Sequence, residues 1–480
     1  MNPWVDELRA LLDEPLNDAA PTAFDPRILS LPMEPMLESA RRFGTPQYFL
    51  EADQLRSIAA HFVQTMQTSV PRSHAFYALK SNDLPALGQI VHQQGLQADV
   101  AGLFELQLAL ELGFGTILFS SPGKTREELE LALQHPNRVI LIVDNLSELK
   151  RIIDLARAMA PPRPLRIGFR LCAAPSEDPS WSKFGIPIEQ LRYAIDQAQT
   201  CPNLTWCGLH VHSSWNKTPE KYINNIETIA AWLADQPSSV RQRMSFLDLG
   251  GGFYPEGQAV LHKAEDKGIL LQTLASRLGS SMTSAKPAFD PYACTITAVE
   301  PLHVFAQRIG DSVRRRLEPI IPNIQIFFEP GRYIASHPTH IVLSVLAVKP
   351  GGAIVDGGSQ MLGDDRFFEY CFAPIVNVTR PSRERRRFTL FGPLCDPHDV
   401  WGYTLWGQSP EEGDVLAVVG QGAYSFSSAW RFIKAIPPYV VWDNGKLWQA
   451  KRAETFRNRY AGCELPCGGT LAGPKGSPEG

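Results

Sequence analysis

A lysine, two histidines, a run of three glycines, a glutamate with an arginine, and a cysteine carry most of the chemistry this chain offers. Lys80 closes the apolar run FYALK (76–80) and is followed by the polar turn SN. His210 and His212 lie in GLHVH (208–212), Gly250, Gly251 and Gly252 in LDLGGGF (247–253), Glu329 and Arg332 in EPGR (329–332), and Cys395 in GPLCDPHD (392–399). An amine can attack a carbonyl, an imidazole can pack on a ring or carry a proton, glycine amides can approach a phosphate, and a buried carboxylate can hold a protonated ring nitrogen. Taken singly, each has a plain structural reading: a solvated turn lysine, a tight glycine turn, a hydrogen-bonded core histidine, a packed thiol. Their joint placement along the chain decides between the two.

From about residue 73 to 330, short β-rich runs alternate with longer amphipathic ones, the pattern of a parallel sheet with crossover helices. Eight strands are predicted: HAFYAL (74–79), LQADVA (96–101), TILFS (116–120), VILIV (139–143), LRIGFRL (165–171), TWCGLHV (205–211), SFLDLG (245–250) and IQIFFE (324–329). Between them apolar residues recur at three- and four-residue spacing, with Thr125 as an N-cap and Gly113 as a C-cap. Eight strands with their helices fit a closed (β/α)8 TIM barrel better than the rival doubly wound sheet. After about residue 340 the runs are β-rich with no long helical period: IVLSVLAVK, GGAIVDGG, VNVTR, RRFTLFG, DVLAVVG, YVVWDNG and KLWQAKR. The fold class is therefore α/β, a barrel plus a separate, mostly C-terminal β domain. The expected division is an N-terminal extension over 1–44, a strand of the β domain over 45–51, the barrel over 52–338, the β domain over 339–455 and a flexible tail over 456–480.

A barrel gathers its chemistry at the C-terminal ends of its strands. Lys80, Asp99, Arg170, His210, His212, the three glycines, Glu329 and Arg332 all fall there. Pyridoxal 5'-phosphate (PLP) would use a lysine for its imine, exposed amides for its phosphate and an acid for its ring nitrogen, so one cofactor accounts for the set.

Composition narrows the rest. With 44% hydrophobic and 20% charged residues and a net charge of −4, the 480-residue chain reads as an ordinary globular protein with no electrostatic case for nucleic acid or an anionic membrane. No apolar run is long enough to span a membrane. The eight cysteines show no repeated CxxC spacing and the N-terminus lacks a signal-peptide pattern, so a reduced, cytoplasmic protein is expected. Cys463 and Cys467 have no second pair or histidine cluster to support a metal site, and no metal is expected.

The motifs resemble those of the PLP-dependent fold type III decarboxylases, the family of diaminopimelate, ornithine and arginine decarboxylases with an alanine-racemase-like barrel. The resemblance runs from about residue 43 to 450 and rests on FYALKSN, ADVAGLFEL (98–106), KFG (183–185), GLHVH, LDLGGGF, EPGR, GPLCDPHD and GAY (422–424). It implies an amino-acid α-decarboxylase in which Lys80 bonds the cofactor and His212 packs on its ring. Glu329 would face the ring nitrogen, and Gly250, Gly251, Gly252, Gly331, Arg332 and Tyr424 would bind the cofactor and its phosphate. It also implies that Cys395 returns a proton to Cα, with Cys395 and Asp396 reaching into the partner's site in a homodimer. Asp99 and Arg170 are supporting residues.

Two departures bear on specificity. Where the family continues HxHxGS, this chain reads HVHSSWN, placing Trp215 at the serine position. Either Ser213 or Ser214 compensates, or Trp215 reshapes the substrate cavity. After DGG (356–358) the chain reads SQMLGDDRFFEY, so Arg366 is a candidate for a distal carboxylate and Asp364 and Asp365 for a distal amine. The substrate is expected to be a diaminopimelate-, ornithine- or lysine-like amino acid, or a modified or carrier-linked one. The alternatives are a racemase or epimerase, which would want a basic residue opposite the ring nitrogen, and a silent regulatory homologue, which would not need all these groups.

Overall fold

The computed structural model describes residues 28, 30–172, 183–256, 259–261, 294–296, 298–363 and 373–464. Strand β1 (Gln47–Glu51) precedes seven parallel strands: β2 (Ser73–Ala78), β3 (Gln97–Val100), β4 (Ile117–Ser120), β5 (Val139–Val143), β6 (Leu165–Arg170), β7 (Leu204–His210) and β8 (Phe246–Asp248). A two-stranded ribbon, β9 (Ala259–Leu261) with β10 (Cys294–Ile296), intervenes before β11 (Gln325–Phe328). β11 pairs with both β8 and β2, closing the eight strands predicted from sequence into a barrel. Strands such as VILIV, buried at every position, form because each face is covered, by helices outside and by side chains within. The predicted cap at Thr125 is present as a capping box: its Oγ1 accepts from Glu128 N at 3.3 Å, and Glu128 Oε2 accepts from Thr125 N at 2.6 Å.

The barrel interior is built in two levels. Phe76, Leu118, Ile140, Ile142, Phe246 and Phe327 form an apolar plug in which the Phe246 and Phe327 rings stack at 4.7 Å. Gly208 makes room for that plug, since a Cβ there would lie 2.3 Å from the Phe246 ring. Side chains alternate along a strand, so the residue two positions on faces the same way. Two positions past Leu118, Ile142, Gly168, Gly208, Phe246 and Phe327 stand Ser120, Asp144, Arg170, His210, Asp248 and Glu329, all buried. The apolar plug thus carries a polar floor at the C-terminal end of the barrel.

The second sheet comprises β1 and β12 (Thr339–Lys349), β13 (Gly352–Val355), β14 (Ile375–Asn377), β15 (Arg385–Phe391), β16 (Val400–Trp406), β17 (Val415–Val418), β18 (Tyr439–Asp443) and β19 (Lys446–Lys451). Its order is β13-β15-β16-β14-β17-β12-β1-β18-β19, with β1 antiparallel to β12 and parallel to β18. β16 (VWGYTLW) is a strand that the sequence reading does not mark. It follows the turn-rich GPLCDPHD without a break and pairs antiparallel with β15.

The β domain grips the lysine turn. Asn82 Nδ2 donates to Gly422 O at 2.9 Å and to Tyr439 Oη at 3.0 Å; Tyr424 N donates to Ser81 O at 2.7 Å; and Ser427 Oγ donates to Lys80 O at 2.9 Å. No helix among the described residues is long and apolar enough to cross a membrane.

Candidate active site

Above the polar floor lies a cavity of about 190 Å³ lined by Lys80, His212, Gly252, Glu329, Arg332 and Tyr424 among others. Lys80 sits on a single 3-10 turn, Leu79–Ser81, directly after β2. Its Nζ is 3.1 Å from Asp99 Oδ2, and Asp99 Oδ1 accepts from Ser120 Oγ at 2.5 Å. Burial works against the Lys80 ammonium, but the Asp99 and Glu329 carboxylates outweigh it and hold the amine above the ordinary lysine range. Burial, then the Glu329 charge, push Asp99 up to about 7, against the pull of Lys80 and Ser120.

Glu329 follows β11 and is flanked by both histidines, with Oε1 3.3 Å from His210 Nε2 and Oε2 3.6 Å from His212 Nδ1. Burial penalises its charge, yet His210 foremost and Lys80 prevail and keep it well below the usual carboxylate range. Neighbouring Asp248 goes the other way, raised well above by burial and by the Glu329 charge. Of these two buried acids, Glu329 keeps the charge and Asp248 the proton. Gly251 N donates to His212 Nδ1 at 3.2 Å, which places the neutral ring's proton on Nε2, 3.3 Å from Ser214 Oγ. Burial lowers His212 to about 4 despite Glu329, so the ring is neutral at pH 7. The ligand-type atoms of His210, His212 and Glu329 lie within 4.8 Å of one another, a grouping that could also hold a cation.

The three glycines are required by close packing. A Cβ would lie 2.6 Å from Val211 O at Gly250, 2.3 Å from Glu329 O at Gly251 and 2.0 Å from Ser213 O at Gly252. The Gly250 amide donates to Asp248 Oδ1 at 2.9 Å and the Gly251 amide to His212. Among the described residues the Gly252 amide has no such internal acceptor, and Gly252 is the glycine of the three that lines the cavity. Gly331, Arg332, Trp215 and Tyr424 complete the same wall.

Arg170 lies at the floor, Nη1 3.9 Å from Asp144 Oδ1 and its guanidinium 4.2 Å over the Phe184 ring of the KFG segment. Cys395 and Asp396 stand apart. Both are exposed in the single chain and neither lines the Lys80 cavity. Their loop is shaped by buried Asp399, which accepts from Ser359 N and Leu394 N, each at 2.7 Å. Asp364, Asp365 and Arg366 lie outside the described residues, as does Cys467. No motif contains Ser120 or Asp144, and Asp248 lies in LDLGGGF beside the glycines that drew the reading; counting two residues on from each buried apolar position of the predicted strands would have found all three.

Residues 55–287 match the family described as "Pyridoxal-dependent decarboxylase, pyridoxal binding domain". An L-glutamyl-[BtrI acyl-carrier protein] decarboxylase from Niallia circulans is 27% identical over 86% of this chain and 92% of its own length. A diaminopimelate decarboxylase from Archaeoglobus fulgidus is 26% identical over 83% of this chain and 88% of its own. The fold superposes on diaminopimelate decarboxylase from M. jannaschii solved with L-lysine, with a TM-score of 0.73 and 20% identity over 90% of this chain and 94% of that one.

The residues present fit PLP. A lysine amine enters the cavity, Gly252 and Arg332 offer a wall for an anion, and the buried Glu329 carboxylate lines the same cavity. A buried anionic carboxylate at the cavity wall is a partner for a protonated ring nitrogen. With its barrel closed around these groups, the chain carries over residues 55–287 the pyridoxal-binding domain of the pyridoxal-dependent decarboxylases, on a fold shared with diaminopimelate decarboxylase.

Proposed function

We propose that this enzyme removes the α-carboxylate of an amino acid using PLP held covalently by Lys80. The observation that carries the assignment of roles is the common cavity of Lys80 and Glu329, whose buried carboxylate is held in its charged form. When bound, PLP supplies the electron sink for the bond that breaks. Glu329 holds the proton on the ring nitrogen by a charge-assisted hydrogen bond in a site of low dielectric. His212, neutral and fixed by Gly251, packs on the ring and keeps the scissile bond perpendicular to it, a positioning role. Gly252, Arg332 and Tyr424 take the phosphate, with Gly250, Gly251 and Gly331 shaping the wall, and Asp99 and Arg170 supporting the first-line groups. After CO2 departs, Cys395 gives a proton to Cα.

The exposure of Cys395 and Asp396 in one chain supports a homodimer in which each chain completes its partner's site. The cysteine pattern supports a cytoplasmic protein. Substrate identity rests between two chemistries that the relatives' names offer: a free diamino acid, and an aminoacyl group on a carrier protein.

Purified protein should bind PLP with a visible absorption band, and borohydride should fix the cofactor mass on the peptide carrying Lys80. Diaminopimelate, lysine, ornithine, glutamate and carrier-linked glutamate should then be assayed for CO2 and for the product mass. Labelling of another lysine would overturn the role of Lys80. Retention of the carboxylate with inversion at Cα across the whole set would replace decarboxylation by racemisation.

A further inference from the structure

Trp215 and Tyr424 are both non-glycine residues held at positive φ, 58° and 55°, a conformation uncommon for bulky side chains and one that needs surrounding structure to maintain it. Arg332 approaches both rings. Its guanidinium carbon is 4.4 Å from the Trp215 ring centre and 4.7 Å from the Tyr424 ring centre. All three line the Lys80 cavity.

Each part is anchored to a different wall. The Trp215 loop is tied to the glycine turn, Asn216 N donating to Gly252 O at 2.8 Å and Asn216 Nδ2 to Ser213 O at 3.0 Å. The outer side of Trp215 leans on Tyr254, ring centres 5.7 Å apart. Tyr424 is tied to the lysine turn through Ser81 O. Arg332 starts the helix Arg332–Ala335 immediately after Gly331.

A guanidinium held against two aromatic rings is restricted in its swing and can offer its in-plane N–H groups to an anion in one orientation. We propose that Trp215 is a positioning residue: with Tyr424 it clamps Arg332 so that its edge addresses the cofactor phosphate, doing by orientation what a hydroxyl at position 215 would do by direct contact. Trp215 is thereby part of the phosphate wall. The proposal rests on the assignment of Arg332 to the phosphate in the proposed function.

The test compares PLP with phosphate-free pyridoxal. Both can react with Lys80, so the ratio of their dissociation constants isolates what the phosphate contributes. Binding is measured by equilibrium dialysis and by the visible band. Trp215→Leu, which keeps bulk without a π face, should weaken PLP about tenfold or more while leaving pyridoxal within twofold. Trp215→Phe should retain most of the preference for PLP, a rescue that simple cavity filling would not produce. Arg332→Ala should abolish the preference.

Trp215→Leu with an unchanged PLP-to-pyridoxal ratio, alongside a loss in Arg332→Ala, overturns the clamp and leaves Arg332 on the phosphate. No change in Arg332→Ala overturns the phosphate assignment itself. Equal weakening of both ligands by Trp215→Leu also sinks the clamp, because it reports general damage to the site. Circular dichroism and a urea melt on each variant confirm that folded proteins are compared.

Discussion

Lys80 Nζ lies 3.1 Å from Asp99 Oδ2, so the amine proposed to capture the cofactor rests as an ammonium held by a buried carboxylate. Attack on a carbonyl needs the neutral amine. A neighbouring anion raises the cost of losing the proton, so capture by the apoprotein should accelerate as pH rises. Asp99→Asn removes the nearest anion and lowers the Lys80 pKa. At pH 7 the variant should take up PLP at least about tenfold faster, with its rate profile displaced to lower pH. Stopped-flow absorbance of apoprotein mixed with PLP reads this directly. A slower, unshifted profile would mean that Asp99 aims the lysine and does not tune it.

His212 gives a stability signature. Its pKa falls from the ordinary value near 6.5 to about 4 because burial penalises the imidazolium. The unfolded chain therefore binds a proton that the folded site resists. The resulting stabilisation is complete above pH 6.5 and is lost as pH falls towards 4, by about 3 kcal/mol at most for one group. Urea melts of the apoprotein across this range should show the loss, and His212→Gln should flatten the part of the slope that His212 contributes. An unchanged slope in the variant would show that the ring is solvated in the apoprotein.

The plug beneath the floor can be tested by size. A Cβ on Gly208 would fall 2.3 Å from the Phe246 ring, and that ring is pinned against Phe327. Gly208→Ala should destabilise by about 1–3 kcal/mol or more through overpacking. Adding Phe246→Leu opens space, so the double variant should be less destabilised than the two single costs combined predict. Additive urea-melt values would place the strain elsewhere. Because His210 and Asp248 sit two residues beyond the altered positions, folded Gly208→Ala protein should also lose PLP affinity.

The sequence carried the barrel well because its strands are short, apolar on both faces and separated by helices with clear periodicity. VILIV and IQIFFE could scarcely be anything else in that setting. Lys80, Glu329 and the glycines were legible because strand ends and turns are local features. Harder to read was the polar floor: Asp144 belongs to no motif, Asp248 lies in LDLGGGF without being singled out there, and only the alternation of a closed barrel turns them inward. The strand Val400–Trp406 was hidden for a different reason, since its pairing with Arg385–Phe391 is set by tertiary contact and its entry is a turn without helical spacing. The contact of Arg332 with the Trp215 ring joins positions more than a hundred residues apart in the chain, and no local pattern encodes it.

Cys395 separates decarboxylation from cofactor binding alone, and it also tests the dimer. Its thiol is exposed in the single chain and away from the Lys80 cavity, so on the proposed reading it acts on the partner's substrate. Cys395→Ala should leave PLP binding and the visible band intact but slow correct turnover by about 10²- to 10⁴-fold, the range for a lost proton donor. With Cα protonation impaired, the proton would be delivered elsewhere, and the released product would be an aldehyde in place of the amine, its amino group left with the cofactor. Mass spectrometry of products resolves the two routes. Mixing Cys395→Ala with Lys80→Ala protein under conditions of subunit exchange should restore part of the activity, because some hybrid sites combine an intact lysine from one chain with an intact cysteine from the other. Hybrids verified by native mass spectrometry that stay at single-variant activity would reject the shared site, and full turnover with normal product in Cys395→Ala would remove the thiol from the mechanism.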